Sequence, residues 1–141
     1  LIVSWPGVTE PGSVSDHVSA FQDFMPTLCE ITGATIPEVT DGLSFLPALR
    51  GGKQKQHEHL YWEFPEYGGQ QAVITGRFKA LRKGMHGGNM VFELYDLEND
   101  PHEMTDISAG HPEIMSIVRE IIRNEHQTSA NSKWRFPSTG E

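Results

Sequence analysis

Cys29 is the single cysteine of the chain, set in the stretch DFMPTLCEITG that runs from Asp23 to Gly33. A cysteine becomes a nucleophile when a neighbouring cation or a helix N-terminus stabilises its thiolate. Here the adjacent charge is Glu30, which opposes thiolate formation. Leu28 and Ile31 place the side chain at the edge of an apolar helix face, where a free cysteine behaves as a small hydrophobe. Cys29 is therefore read as structural. His57 and His59 form His-x-His, which on a strand points both rings to one side and offers a cation two ligands. Glu58 and Glu63 are near, but no third ligand stands at a completing spacing, and a polar entry into a strand accounts for the pair. A serine triad has no Gly-x-Ser-x-Gly elbow to stand on. The Gly-Gly pairs at 51–52, 68–69 and 87–88 lack the Lys-Ser/Thr of a phosphate loop. One loop remains as a binding candidate. PEYGGQQ, residues 65–71, joins two strands and gathers Glu66, Tyr67, Gln70 and Gln71. An aromatic face beside hydroxyl, amide and carboxylate groups suits a sugar, while an ordinary polar connection has the same composition.

Several elements must position these groups. Leu1–Trp5 is an apolar run closed by Pro6-Gly7, which reads as a strand buried on both faces whose neighbours come from outside the chain. That run points to a C-terminal fragment. From His17 to Thr32, Val18, Phe21, Phe24, Met25, Leu28, Cys29 and Ile31 recur at helical spacing. Pro26 interrupts this pattern, so the helix either kinks or restarts with Asp23 as N-cap, and Gly33 stops it. Residues 34–58 read as loop with a helical turn at Ser44–Leu49. Strands are expected at 59–64, 71–83 and 90–97, the second broken by Gly76 as a hairpin turn or a bulge. Ile114, Ile117, Val118, Ile121 and Ile122 define one stripe of a helix of about 16 residues that starts at Pro112. Such a helix needs a sheet to lie on, which gives an antiparallel α+β unit. In the tail, Trp134 and Phe136 are expected to anchor the chain on a surface.

Bulk properties exclude some partners. The formal net charge is −8 and the eleven Lys and Arg are scattered, the opposite of a phosphate-binding surface, so no nucleic-acid partner is expected. No apolar run approaches the roughly 20 residues of a membrane span.

In order, LIVSWPG, VSDHVSAFQDFMPTLCEITG, DGLSFLPALRG, HLYWEF with GGQQAVITGRFKALR, FELYDLENDPHEMTDIS and HPEIMSIVREII resemble the C-terminal part of the type I, arylsulfatase-like sulfatases. The WPG, D..PT and ELYDL..DP.E pieces carry most of the likeness. The resemblance implies an α/β, alkaline-phosphatase-like fold, with residues 1–56 the remnant of the catalytic domain and 57–141 an antiparallel sheet plus helix subdomain. It implies a parent enzyme that hydrolyses sulfate esters, on a carbohydrate, with a formylglycine nucleophile and a bound calcium ion. Formylglycine arises in a Cys/Ser-x-Pro/Ala-x-Arg motif, and Glu30, Ile31 and Thr32 follow Cys29, so no catalytic residue, cofactor or metal ligand is expected within these residues. A sulfated small molecule or glycan is the implied partner, and the N-terminal strand offers an edge for self-association. In such a protein the PEYGGQQ loop borders the cleft, with Tyr67, Gln70 and Gln71 as substrate contacts. Family patterns such as EFHE.GG.QAVR place His at Pro65 and Arg at Ile74, where this chain departs. The alternative reading is a free-standing glycan- or protein-binding module.

Overall fold

The computed structural model describes residues 1–136. The chain divides into two compact units, Leu1–His57 and Glu58–Glu141.

In the first unit, residues 1–5 form no strand, and Leu1 and Ile2 lie exposed. A strand exists only through its ladder, and no segment among the described residues pairs with this one. The expected helix over 17–32 also starts late: a 3-10 turn at Phe21–Asp23 leads into α1, Phe24–Thr32, and Gly33 ends it at φ +74°. Pro26 explains the restart. Its ring excludes a helical carbonyl four residues earlier, at Gln22, and in the first turn its missing N–H costs nothing. The side of α1 that faces inward is not the expected one. Pro26 and Thr27 are buried together with Asp23, whereas Met25 and Leu28 are about half exposed and Phe21 is largely exposed. Cys29 sits half-buried as a free thiol.

The reason lies in Asp23. Its fully buried carboxylate accepts hydrogen bonds from the backbone N–H of Ala20 (2.7 Å) and of Leu43 (2.8 Å), and it pairs with His57 Nε2 at 2.9 Å. The Thr27 hydroxyl donates to the Asp23 carbonyl (2.6 Å) and accepts from Phe45 N–H (2.9 Å). One acid and one hydroxyl therefore bind α1 to the segment that leads into the short helix α2, Leu46–Leu49. Gly42 passes so close that a Cβ there would stand 2.1 Å from the Gln22 carbonyl oxygen. Asp23 precedes α1 as expected of an N-cap, but its side chain makes no cap bond and turns to these partners instead.

The second unit holds an antiparallel sheet in chain order: β1 His59–Phe64, β2 Gln70–Thr75, β3 Phe78–Lys83 and β4 Glu93–Asp96. Gly76, at φ +54°, makes the interruption a hairpin turn between β2 and β3. The helix α3, Pro112–Glu125, opens on proline and is 14 residues long. It stops before His126, whose backbone is extended. Its buried stripe is Met115, Val118, Ile121 and Ile122, which pack with Val73, Ala80, Phe92 and Leu94. Ile117, expected on this stripe, is 45% exposed, because the sheet contacts a band centred on Val118. Removal of these aliphatic groups from water is the main force holding helix to sheet. In the tail, Phe136 lies beside His86, with ring centroids 5.7 Å apart, whereas Trp134 is more than half exposed. The last five residues of the expected tail lie outside the described residues.

Candidate functional site

The sheet register sorts the candidate residues between two faces. Glu63 pairs with Gln71, and Gln71 with Arg82; Phe64 pairs with Gln70, and Gln70 with Lys83. Partners directly across a ladder share a face, and adjacent residues along a strand point to opposite ones. Gln71 therefore lies on the α3 side, in line with Val73, while Gln70 lies on the other.

On the α3 side the apolar core ends in a polar network. Gln71 is 2% exposed. Its amide nitrogen donates to Glu63 (2.7 Å) and to the Tyr61 hydroxyl (2.9 Å), and its amide oxygen accepts from Arg82 Nε (2.7 Å). The Tyr61 hydroxyl also donates to Glu63. His126 Nδ1, just past the end of α3, lies 2.5 Å from the same Glu63 oxygen. The Arg82 guanidinium stacks over Phe92 at 4.5 Å. Burial holds the Tyr61 phenol well above the ordinary tyrosine range, and the Glu63 carboxylate adds to the shift. Tyr61 therefore stays a neutral donor. The same two causes, burial and then the acceptor Glu93, push Tyr95 up to about 12.

On the opposite face, Phe64, Gln70 and Lys83 form a row across three strands. Phe64 is 47% exposed, and Tyr67 stacks on it at 5.9 Å with ring planes 20° apart. Tyr67 itself is 84% exposed. The loop that presents it runs through the left-handed region three times in succession, Tyr67 at φ +50°, Gly68 at +85° and Gly69 at +81°. Glycine adopts this region freely; tyrosine does so only when its surroundings impose it. Here Gly69 N–H donates to the Glu66 carbonyl, and the 3-10 turn Met85–Gly87 supplies two more donors, Met85 N–H to Gly69 and His86 N–H to Gly68. An aromatic pair, an amide and an ammonium thus share one exposed edge. That set can stack on a sugar ring, bond its hydroxyls and attract an anionic group.

Of the three residues expected to act together, Tyr67 and Gln70 flank this edge and Gln71 does not. Phe64 and Lys83 were missed, because only the register reveals that they stand beside Gln70. His57 and His59 do not form a pair: His57 binds Asp23, and His59 Nε2 lies 3.0 Å from Glu125 on α3. Among the described residues, no three His, Cys, Asp or Glu converge as a metal-binding group.

Comparison with known proteins identifies the family of the chain. Residues 1–131 match the family profile described as N-sulphoglucosamine sulphohydrolase, C-terminal. The chain belongs to that family. It is similar to an ulvan-active sulfatase of Formosa agariphila, 28% identical over 88% of this chain and 31% of the relative. It is also similar to a delta 4,5-hexuronate-2-O-sulfatase of Bacteroides thetaiotaomicron, 30% identical over 96% of this chain and 29% of that protein. Among solved structures, one captured in complex with its substrate D-glucosamine-2-N,6-O-disulfate superposes with a TM-score of 0.70 and 25% identity, over 84% of this chain and 27% of that one. The chain thus spans less than a third of the length of these relatives.

The sheet and α3 are accordingly the C-terminal antiparallel subdomain of a sulfatase fold of the alkaline-phosphatase-like class. Two of the three motif pieces that carried the resemblance are clamps. D..PT is the Asp23 and Thr27 anchor with Pro26 between them. In ELYDL..DP.E, Asp96 is held below the usual carboxylate range by the Asn99 amide and by Glu98 N–H, and Asp100 accepts from the N–H groups of Met104 and Thr105. Asp106, a few residues on, is likewise held low by Leu94 N–H and Ser108.

Proposed function

We propose that residues 1–141 form the substrate-facing C-terminal part of a larger sulfatase that hydrolyses a sulfate ester on a carbohydrate. In this reading residues 1–56 complete the catalytic α/β domain and 57–141 form the bordering subdomain. The nucleophile and the charges that stabilise the transferring sulfuryl group come from the rest of the parent enzyme, where a formylglycine and a calcium ion are the expected apparatus.

The observation that carries the reading is the exposed edge of Tyr67, Phe64, Gln70 and Lys83. Tyr67 and Phe64 offer a ring-sized apolar face, Gln70 an amide for hydroxyl groups, and Lys83 a cation for an anionic substituent. Gln71 serves the same edge from beneath, since its bonds to Glu63 and Arg82 fix β1, β2 and β3 at the strand ends that carry the row. Two sulfatases of similar sequence are named for ulvan and for a hexuronate sulfate, both carbohydrate substrates.

Steady-state kinetics on the full-length parent test the proposal. Tyr67→Ala is expected to lower kcat/KM for a sulfated saccharide by about tenfold, or about 1.4 kcal/mol, while turnover of a small aryl sulfate, which carries no saccharide for the aromatic face, changes by less than about twofold. Equal loss on both substrates, or loss on neither, contradicts the assignment.

A further inference from the structure

His86 carries no role in the reading above, yet it is the side chain that ties the Tyr67 loop to the neighbouring turn. Its Nε2 lies 2.9 Å from the backbone carbonyl oxygen of Pro65. A carbonyl cannot donate, so the proton of this bond belongs to His86 Nε2, and the bond exists whether the ring is neutral or charged. Together with the two backbone bonds from Met85 and His86, at 3.2 and 2.9 Å, it attaches the 3-10 turn to Pro65, Gly68 and Gly69. On its other side the ring meets Phe136, and the Phe136 ring in turn approaches the Cβ position of Gly69 to 3.0 Å. Pro65, Glu66, Gly68 and Gly69 thus each have a backbone group bonded within the loop or to this turn, and Tyr67 between them adopts a conformation its own side chain disfavours.

We infer that His86 is a positioning residue: its Nε2–H bond to Pro65 holds the 65–69 loop in the left-handed conformation that stacks Tyr67 on Phe64, and so presets the aromatic face for a saccharide. The inference rests on the proposed substrate role of Tyr67, but the loop device can be examined without any substrate. A loop fixed before binding loses less conformational entropy when the sugar docks. Without the bond, Tyr67 relaxes toward ordinary φ values and the stack opens.

Two readouts separate the device from the substrate reading. In the full chain, hydrogen exchange of the 65–71 backbone is expected to speed up by about tenfold in His86→Leu and to stay within about twofold of the parent in His86→Gln, whose amide N–H can donate to the same carbonyl. In the full-length enzyme, His86→Leu is expected to raise KM for a sulfated saccharide about fivefold with kcat held, His86→Gln is expected to restore it, and His86→Leu is expected to add nothing in a Tyr67→Ala background. Unchanged exchange in His86→Leu, no rescue by His86→Gln, or an additive loss in the double variant overturns the inference. If exchange responds as expected while Tyr67→Ala leaves saccharide turnover intact, the loop device stands and the substrate assignment falls.

Discussion

Asp23→Ala is expected to destabilise the first unit by about 2–4 kcal/mol, the scale for removing a buried carboxylate that accepts several hydrogen bonds. The substitution deletes the acceptor of Ala20 N–H and Leu43 N–H and leaves the His57 ring, whose side chain is 11% exposed, without its carboxylate. Each orphaned donor then carries its own desolvation cost. The loss is local in origin but wide in reach, because Asp23 is the point where the 3-10 turn, the 42–45 segment and residue 57 meet. Asp23→Asn keeps the shape and one acceptor oxygen and is expected to lose less. Amide exchange of α1 in urea is the direct measure, since it reports this unit apart from the sheet. A change below about 1 kcal/mol in the alanine variant would show that the segments are held by something other than this carboxylate.

Leu94→Ala carries the second large effect, about 2–5 kcal/mol in the second unit. Leu94 is completely buried on β4 and packs in the cluster with Val73, Ala80, Val118 and Ile122. Truncation removes apolar area and leaves a void between two elements, and a strand paired to β3 in fixed register cannot collapse into it. Ile117→Ala is the matched comparison on α3. Both residues fall on an aliphatic pattern, but Ile117 is nearly half exposed, so its loss should stay below about 1 kcal/mol. Urea unfolding midpoints at constant m-value decide between them. Equal effects would mean that the helix packs through a different face.

The contrast between the two units explains which features were legible in the sequence. Runs of β-formers bounded by turn signals located β1 to β4, although β3 and β4 bury consecutive residues and β4 is shorter than the 90–97 run, and a period near 3.6 located α3, with Met115 buried where Ile117 was expected. The first unit defeats that logic. The inward groups of α1 and the turn before it include a carboxylate and a hydroxyl whose partners are Leu43, Phe45 and His57, and nothing in the local pattern of residues 17–32 announces bonds 18 to 34 positions away. Periodicity therefore assigned Phe21, Met25 and Leu28 to a buried face that this unit leaves exposed. The candidate site was half legible for the same reason. Tyr67 beside two glycines is a local signal. That Gln70 and Gln71 part company, that Phe64 and Lys83 join the former, and that His86 reaches Pro65 are consequences of register and tertiary contact.

The central claim is that these residues shape the substrate while the reacting groups lie elsewhere in the parent enzyme. Purified residues 1–141, given calcium and either an aryl sulfate or a sulfated saccharide, can be followed directly for released inorganic sulfate. The account predicts release at the rate of the protein-free control on both substrates. Calcium-dependent release that rises in proportion to the amount of this chain and disappears when the chain is unfolded would contradict it.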